Sequence, residues 1–189
     1  MNLILVRHGE IPSNVNKVYA GRSPENLTEK GIWQAQDVAR KLLGFNVDTI
    51  FTSPIQRAVQ TAEIIRSKIN AELITITAFR ELEMGPWEGL SENDIAIQYP
   101  EELLIWNQRP AELKMPGRET LHELQERVLT GVQSVFVEKT KSNIVVISHV
   151  AIIRVLMLWN QRRSLNLYKT IHVPNAEIIE LKIDTYPKI

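Results

Sequence analysis

The 189-residue chain contains no cysteine, which excludes disulfides, thiolate nucleophiles, zinc ribbons and iron–sulfur clusters together. It also lacks an excess of charge. Its 22 lysines and arginines balance 22 aspartates and glutamates, and no basic run occurs, so there is no electrostatic footprint for nucleic acid. Any affinity for phosphate must therefore be local. No uninterrupted apolar run reaches the roughly 20 residues of a membrane span, and no basic stretch followed by a long apolar one opens the sequence. A cytoplasmic protein with no membrane partner is expected. Glycine and proline are scattered as punctuation, without a low-complexity linker or a repeat. One domain over residues 1–189 is the economical reading.

What is present begins with Leu3-Ile4-Leu5-Val6, a short run that reads as a buried strand, with Arg7 and His8 where it stops. A fixed cation and a titratable nucleophile thus stand at a strand end, the place where open α/β sheets bind ligands. Residues 11–26 show neither helical nor strand periodicity and predict a long loop carrying Asn14, Lys17, Tyr19 and Arg22. Thr28 can cap a helix over Glu29 to Leu43, with Gly44 as its stop. Thr49 to Thr52 is a second strand. Ser53-Pro54 then reads as an N-cap and a first-turn proline, so a helix starts abruptly. Arg57 falls in the first turn of that helix, off its apolar face, where the helix dipole disfavours a cation. An anion joining it would relieve this, and a helix N-terminus suits phosphate; a solvent-facing arginine is the alternative.

Leu73 to Ile76 predicts a third strand. The loop after it, Phe79 to Gly89, combines carboxylates, a tight Gly85-Pro86 turn and the indole of Trp87. Such a loop can hold a proton-transfer carboxylate in a partly apolar setting that raises its pKa. Ser91 with Asp94 predicts a capping box on a helix that Pro100 interrupts, followed by an irregular helical insertion over Glu101 to Gly117. Trp106, Arg109 and Arg118 either line a pocket there or anchor the insertion. Thr120 with Glu123 is a second capping box, opening a helix whose apolar face runs from Leu121 to Phe136 and whose His122 is a surface residue. Ile144 to Ile147 is the most strand-like run in the chain and delivers Ser148-His149 as the first strand delivers Arg7-His8. Ala151 to Leu158 is an apolar helix, and Glu177 to Ile183 a last strand at the sheet edge.

Two strand-end histidines, a strand-end arginine and an arginine at a helix start suggest a common phosphoryl ligand. Guanidinium forks match phosphate oxygens, and phosphoryl transfer gains mostly from positioning and charge stabilisation. A neutral imidazole held by a backbone carbonyl can attack phosphorus and split hydrolysis into two steps.

These residues carry a resemblance. The blocks Leu5-Val6-Arg7-His8-Gly9-Glu10, Asn14, Gly21-Arg22, Leu27-Thr28, Gly31, Thr52-Ser53-Pro54 with Arg57-Ala58, and Gln60-Thr61-Ala62 resemble the histidine phosphatase superfamily, also called phosphoglycerate mutase-like. Arg80-Glu81, Gly85, Trp87-Glu88-Gly89, Ser148-His149 and Ile153-Arg154 continue the series in family order. The resemblance implies an α/β three-layer sandwich, its mostly parallel central sheet flanked by helices, with a small helical insertion over roughly residues 91–118. It implies that His8 is the nucleophile, that Arg7 and Arg57 grip phosphoryl oxygens, that His149 stabilises the transferring group and that Glu81 protonates the leaving oxygen. Asn14, Gly21, Arg22 and Val150 are the implied substrate contacts. No metal and no cofactor are implied, in agreement with the lack of clustered histidine ligands.

Two departures stand out: Ile11 where serine or threonine is common, and Val150 where glycine is frequent. The loop from Gly85 to Gly89 and the stretch Pro116 to Thr120 look most like α-ribazole-5′-phosphate phosphatases of cobalamin assembly. There, however, Gly117-Arg118-Glu119-Thr120 replaces the usual Gly-Gly-Glu-Ser. The implied partner is a small phosphorylated metabolite. A mutase, a phosphoserine or sugar-phosphate phosphatase, and a non-catalytic phosphate-binding module are the alternatives, and a homodimer is compatible with the sequence. Lys17, Arg109, Arg118 and His172 are candidates for a pocket or for ordinary surface.

Overall fold

A computed structural model describes residues 2–138 and 144–183. Its centre is a sheet of strands β1 (Asn2–Arg7), β2 (Thr49–Thr52), β3 (Glu72–Thr75), β4 (Ile144–Ser148) and β5 (Ile178–Lys182), in the order β3-β2-β4-β1-β5. The first four named are mutually parallel, and β5 runs antiparallel to β1 at one edge. The apolar runs explain the arrangement. Leu3 to Val6 and Ile144 to Ile147 are buried along their whole length, as strands covered on both faces must be. Alternation then sorts side chains between two cores. Leu3, Leu5, Phe51, Ile144 and Val146 pack into one, and Ile4, Val6, Ile50, Val145 and Ile147 into the other. Each such side chain contributes about 1.5–3 kcal/mol by leaving water.

Helices α2 (Glu29–Leu42) and α3 (Gln56–Ile69) cover one face, with Val38, Ala39, Leu42, Ala58, Ala62 and Ile65 turned inward. Helices α6 (Leu121–Glu138) and α7 (Val150–Asn160) cover the other. This is the three-layer α/β sandwich expected. Both capping boxes form: Asp94 N–H donates to Ser91 Oγ at 3.2 Å while Ser91 N–H donates to Asp94 Oδ2 at 3.0 Å, and Thr120 and Glu123 make the same exchange.

Some local expectations need correction. The predicted loop 11–26 contains a short helix, α1 (Pro12–Asn16), because Pro12 occupies its first position and Asn14 Oδ1 accepts the Ile11 N–H. Pro100 does interrupt the helix that Ser91 opens: α4 (Glu92–Gln98) stops before it, and it starts α5 (Pro100–Gln108), a position where its missing N–H costs no bond. The helix after β2 has Ile55, not Ser53, at its N-cap. The third strand runs one residue earlier than predicted, and the insertion is more regular, with only a 3-10 turn at Pro110–Glu112 after its two helices.

Register is what makes the fold useful. Arg7 pairs with Ser148, and Thr52 and Val6 both pair with Ile147, so β1, β2 and β4 end at one level. The pairing continues one residue further, His8 N–H reaching Ser148 O at 2.9 Å and Ser53 N–H reaching Ile147 O at 3.0 Å. The loop leaving β1 is held down by a close backbone crossing with α2. A methyl on Gly9 would overlap the Gly31 carbonyl, and a methyl on Gly31 would overlap the Glu10 carbonyl.

Gly31→Ala tests this crossing. Alanine in a helix ordinarily gains about 0.5–1 kcal/mol over glycine, whereas overpacking against a fixed backbone costs about 1–3 kcal/mol. Net destabilisation by urea denaturation is expected, while Gly44→Ala, whose methyl meets nothing, should stay within about 0.5 kcal/mol of the parent.

Candidate active site

Both strand-end imidazoles are buried, His8 with hydrogen bonds at both ring nitrogens and His149 with one at Nε2. His8 Nδ1 lies 2.7 Å from the Gly9 carbonyl, which can only accept, so Nδ1 carries the hydrogen and Nε2 the free lone pair. Arg57 Nε donates to that lone pair at 3.2 Å. The rest of the Arg57 guanidinium is held by carbonyls of the loop after β1, Nη1 on Ser23 O at 2.9 Å and Nη2 on Gly21 O at 2.6 Å. Arg57 is only 1 % exposed, which removes the solvent-facing alternative. Thr61, one turn on in α3, accepts the Gly9 N–H at 3.1 Å and donates to Arg57 O at 2.8 Å, locking the loop to the helix.

His149 follows β4, and its ring centroid lies 5.2 Å from that of His8 at an interplanar angle of 60°. Its Nε2 is 2.7 Å from Ser53 Oγ, and its buried Nδ1 has no hydrogen-bond partner among the described residues. Arg7 donates from Nη1 to Val173 O at 2.5 Å, and its buried Nε is likewise unpartnered among the described residues.

The electrostatics follow from burying these cations together. Burial, then the positive charges of Arg57 and Arg7, push His8 well below the ordinary imidazole range, and His149 is lowered in the same way. Burial lowers Arg7 to about 10. Glu81, whose Oε1 accepts the Leu82 N–H at 2.7 Å, is raised by burial despite that bond and the nearby Arg57 and Arg7. The site therefore keeps two neutral imidazoles and a carboxyl inclined to hold its proton.

Glu81 is positioned through its backbone. Its carbonyl accepts from Arg22 Nε and from Arg127 Nη2, each at 3.1 Å. Arg127 also donates to the carbonyls of Ala78 and Arg80, at 2.6 and 2.8 Å, and pairs with Glu119 at 2.5 and 2.8 Å. Sequence reading passed over Arg127 because a polar residue on the exposed side of a helix looks like any other.

A cavity of about 200 Å³ opens over this group. Arg7, His8, Arg57, Glu81 and Arg154 give it polar walls; Ile11, Val18, Tyr19, Met84, Trp106 and Tyr168 give it apolar ones. Asn14, Gly21 and Val150 also line it. Asn14 Oδ1 is held by Asn175, and Gly21 takes a left-handed φ of +50° that presents its carbonyl to Arg57.

Arg22 does not line the cavity: besides Glu81 O it binds Glu83 at 2.6 Å, so it serves the loop rather than a ligand. Lys17, Arg109 and His172 are exposed and lie off the cavity, Arg109 pairing with Glu112 at 2.9 Å. Arg118 is buried behind the wall, its guanidinium 4.3 Å from the Trp106 ring centre and 5.1 Å from that of Trp87. It anchors the insertion. His122 is exposed, as expected.

Arg154 and Lys169 were not foreseen as cavity residues. Arg154 donates to Ile171 O at 2.8 Å and stacks 4.9 Å from the Tyr168 ring centre, and Lys169 is turned toward Asn107 and Glu92. Their signal in the sequence was only the helical offset of Arg154 from His149. Among the described residues no group of histidines and carboxylates could hold a metal ion, and no helix is long and apolar enough to cross a membrane.

The arrangement matches known proteins. A family model described as histidine phosphatase superfamily (branch 1) matches residues 3–188. Phosphoserine phosphatase 1 of Hydrogenobacter thermophilus is 28 % identical over 97 % of this chain and 92 % of its own. The adenosylcobalamin/alpha-ribazole phosphatase of Escherichia coli is 28 % identical over 83 % of this chain and 77 % of its own. Among solved structures, YhfR of Bacillus stearothermophilus superposes with a TM-score of 0.92 at 26 % identity, covering 98 % of this chain and 92 % of that one.

Removing the guanidinium that spans three carbonyls and neutralises Glu119 should be costly. Arg127→Met is expected to lower unfolding stability in urea by about 3 kcal/mol, the scale for breaking a largely buried ion pair. Arg127→Lys should recover less than half of that, because an ammonium cannot reproduce the fork.

Proposed function

The chain belongs to the histidine phosphatase superfamily, and we propose that it hydrolyses a small phosphomonoester through a phosphohistidine formed on His8. The observation that carries this is the Nδ1–Gly9 carbonyl bond, which keeps the hydrogen off Nε2 at a cavity lined by Arg7, His8 and Arg57, with the His149 ring centre 5.2 Å from that of His8. In the first step Nε2 attacks phosphorus, the ester P–O bond breaks and Glu81 gives its proton to the leaving oxygen. In the second, the Glu81 carboxylate takes a proton from water as the water oxygen attacks phosphorus. The P–N bond breaks, and neutral His8 and inorganic phosphate result. The guanidinium groups supply the positive charge that the phosphoryl oxygens need, so the scheme calls for no metal.

For the substrate we favour α-ribazole 5′-phosphate, with α-ribazole as the leaving alcohol, and a place in cobalamin assembly, in the cytoplasm. The walls formed by Tyr19, Trp106 and Tyr168 suit a planar ring, and the relationship to the Escherichia coli phosphatase supports it. A second reading has its own support. Arg154 and Lys169 at the cavity suit an acidic leaving group such as serine, in line with the phosphoserine phosphatase relative. A phosphoglycerate mutase-type transfer would use the same phosphohistidine but must keep water from it, and would be primed by a bisphosphate.

The deciding assay follows phosphate release from α-ribazole 5′-phosphate, phosphoserine, 3-phosphoglycerate and sugar phosphates in the presence of chelator. Preference for the riboside, abolished in His8→Ala, is the expected result; preference for phosphoserine would transfer the assignment. Release of phosphate from none of them would point to a binding module.

The pH profile follows from the shifts. Because His8 is lowered, its nucleophilic form persists below the ordinary imidazole range. Because Glu81 is raised and must be protonated in the first step, kcat/KM should fall as pH rises through its pKa. Glu81→Gln should remove that alkaline limb and lower kcat by about 10²–10⁴-fold, the usual share of general acid–base catalysis.

A further inference from the structure

His8 and His149, with ring centres 5.2 Å apart, are tethered to their own surroundings through opposite nitrogens, His8 by Nδ1 on the Gly9 carbonyl and His149 by Nε2 beside Ser53, and only the first arrangement has an obvious reason. The reason for the second lies in Ser53. Its N–H is bonded to Ile147 O at 3.0 Å, so strand pairing between β2 and β4 sets it beside the residue that follows Ser148. Ser53 is fully buried. Its hydroxyl oxygen accepts the Ile55 N–H at 3.2 Å, closing a turn over Pro54, and lies 2.7 Å from His149 Nε2.

A hydroxyl has a single hydrogen to give. Among the hydrogen bonds of the described residues, His149 Nε2 is the only acceptor within its reach. Were Nε2 itself protonated, the serine hydrogen would be buried without a partner, and the Nδ1 lone pair would be left without a donor as well. With the serine hydrogen on Nε2, the hydroxyl and Nε2 satisfy each other, and the ring hydrogen sits on Nδ1, the atom that has no partner among the described residues.

We propose that Ser53 is a positioning residue that holds His149 in the tautomer with its hydrogen on Nδ1, so that this imidazole meets the phosphoryl group as a neutral hydrogen-bond donor. The identity of the group met rests on the phosphatase reading; the tautomer does not. The two rings then carry their hydrogen on the same atom with opposite results. Gly9 consumes the hydrogen of His8 and leaves a lone pair to attack, whereas Ser53 consumes the lone pair of His149 and leaves a hydrogen to donate. Burial among Arg57, Arg7 and His8 keeps a second proton off His149 and preserves the distinction.

Nitrogen-15 NMR of the wild-type protein reads the tautomer directly, and a chain with four histidines keeps the spectrum tractable, His149→Gln identifying the relevant pair of signals. The expected spectrum has His149 Nδ1 protonated and Nε2 bare, and the Nδ1–H signal moves when inorganic phosphate is added. A wild-type spectrum with the hydrogen on Nε2 overturns the proposal whatever the variants do. A correct tautomer whose Nδ1–H ignores phosphate overturns the donor role.

In Ser53→Ala the tautomer signals should mix, and kcat should fall between about 10- and 100-fold with a smaller change in KM, the loss typical when a group orienting an imidazole is removed. Ser53→Thr, which keeps the hydroxyl, should restore most of kcat. Unchanged signals and unchanged kcat in Ser53→Ala overturn the assignment; if that variant does not fold, the wild-type spectrum decides. A wild-type enzyme that releases phosphate from no ester defeats the phosphatase reading and leaves the tautomer result standing by itself.

Discussion

Positive charge buried against backbone carbonyls, with little negative charge to answer it, is the constraint on which the site depends. Arg57 is held by Gly21 and Ser23 and Arg7 by Val173, all through carbonyl oxygens, and Glu81, the one carboxyl lining the cavity among the described residues, has its pKa raised by burial. Carbonyl dipoles orient a guanidinium without cancelling its charge. The uncompensated field keeps both imidazoles neutral and makes the cavity receptive to a dianion. A carboxylate partner for either arginine would weaken both effects. The protein does place such a carboxylate, Glu119, but outside the cavity, where it joins Arg127 and Arg22 beneath the Glu81 loop.

Maintaining such a field requires a scaffold that does not relax around it. The parallel sheet supplies it by ending β1, β2 and β4 at one level, so that His8, Ser53 and His149 each fall one step beyond a strand. The apolar cores on both faces set that register, since a one-residue slip would turn Leu3, Leu5, Ile144 and Val146 into the wrong layer. The Gly9–Gly31 crossing completes the arrangement by pinning the first residue after the nucleophile against α2.

Much of this was legible in the sequence because its signals were local. Strands apolar on both faces read as buried parallel strands, and the residues ending them read as site residues. The two capping boxes needed only residues three apart. What failed were signals with two local meanings. Pro100 ended one helix, as read, but it also starts the next, with Tyr99 turning the chain between α4 and α5. Ser53 read as a helix cap because its distant partner, His149, is invisible locally. Arg57 was placed off the apolar face, as it is, yet periodicity says nothing about the loop that folds over that side and buries it. Arg22 matched a family position, but its guanidinium is drawn outward by Glu83, and Arg127 acts only through carbonyls that tertiary packing brings to it.

The bond from Arg57 Nε to His8 Nε2 has a consequence for the resting protein. The lone pair that makes His8 reactive is occupied whenever the cavity holds no competing acceptor. A phosphoryl oxygen can draw the guanidinium to itself and free the imidazole in the same movement, whereas an uncharged electrophile offers Arg57 nothing in exchange. Under the mechanism proposed above, the nucleophile would be unveiled by the class of molecule it attacks, and chemical selectivity would begin before any contact with the alcohol portion of the substrate.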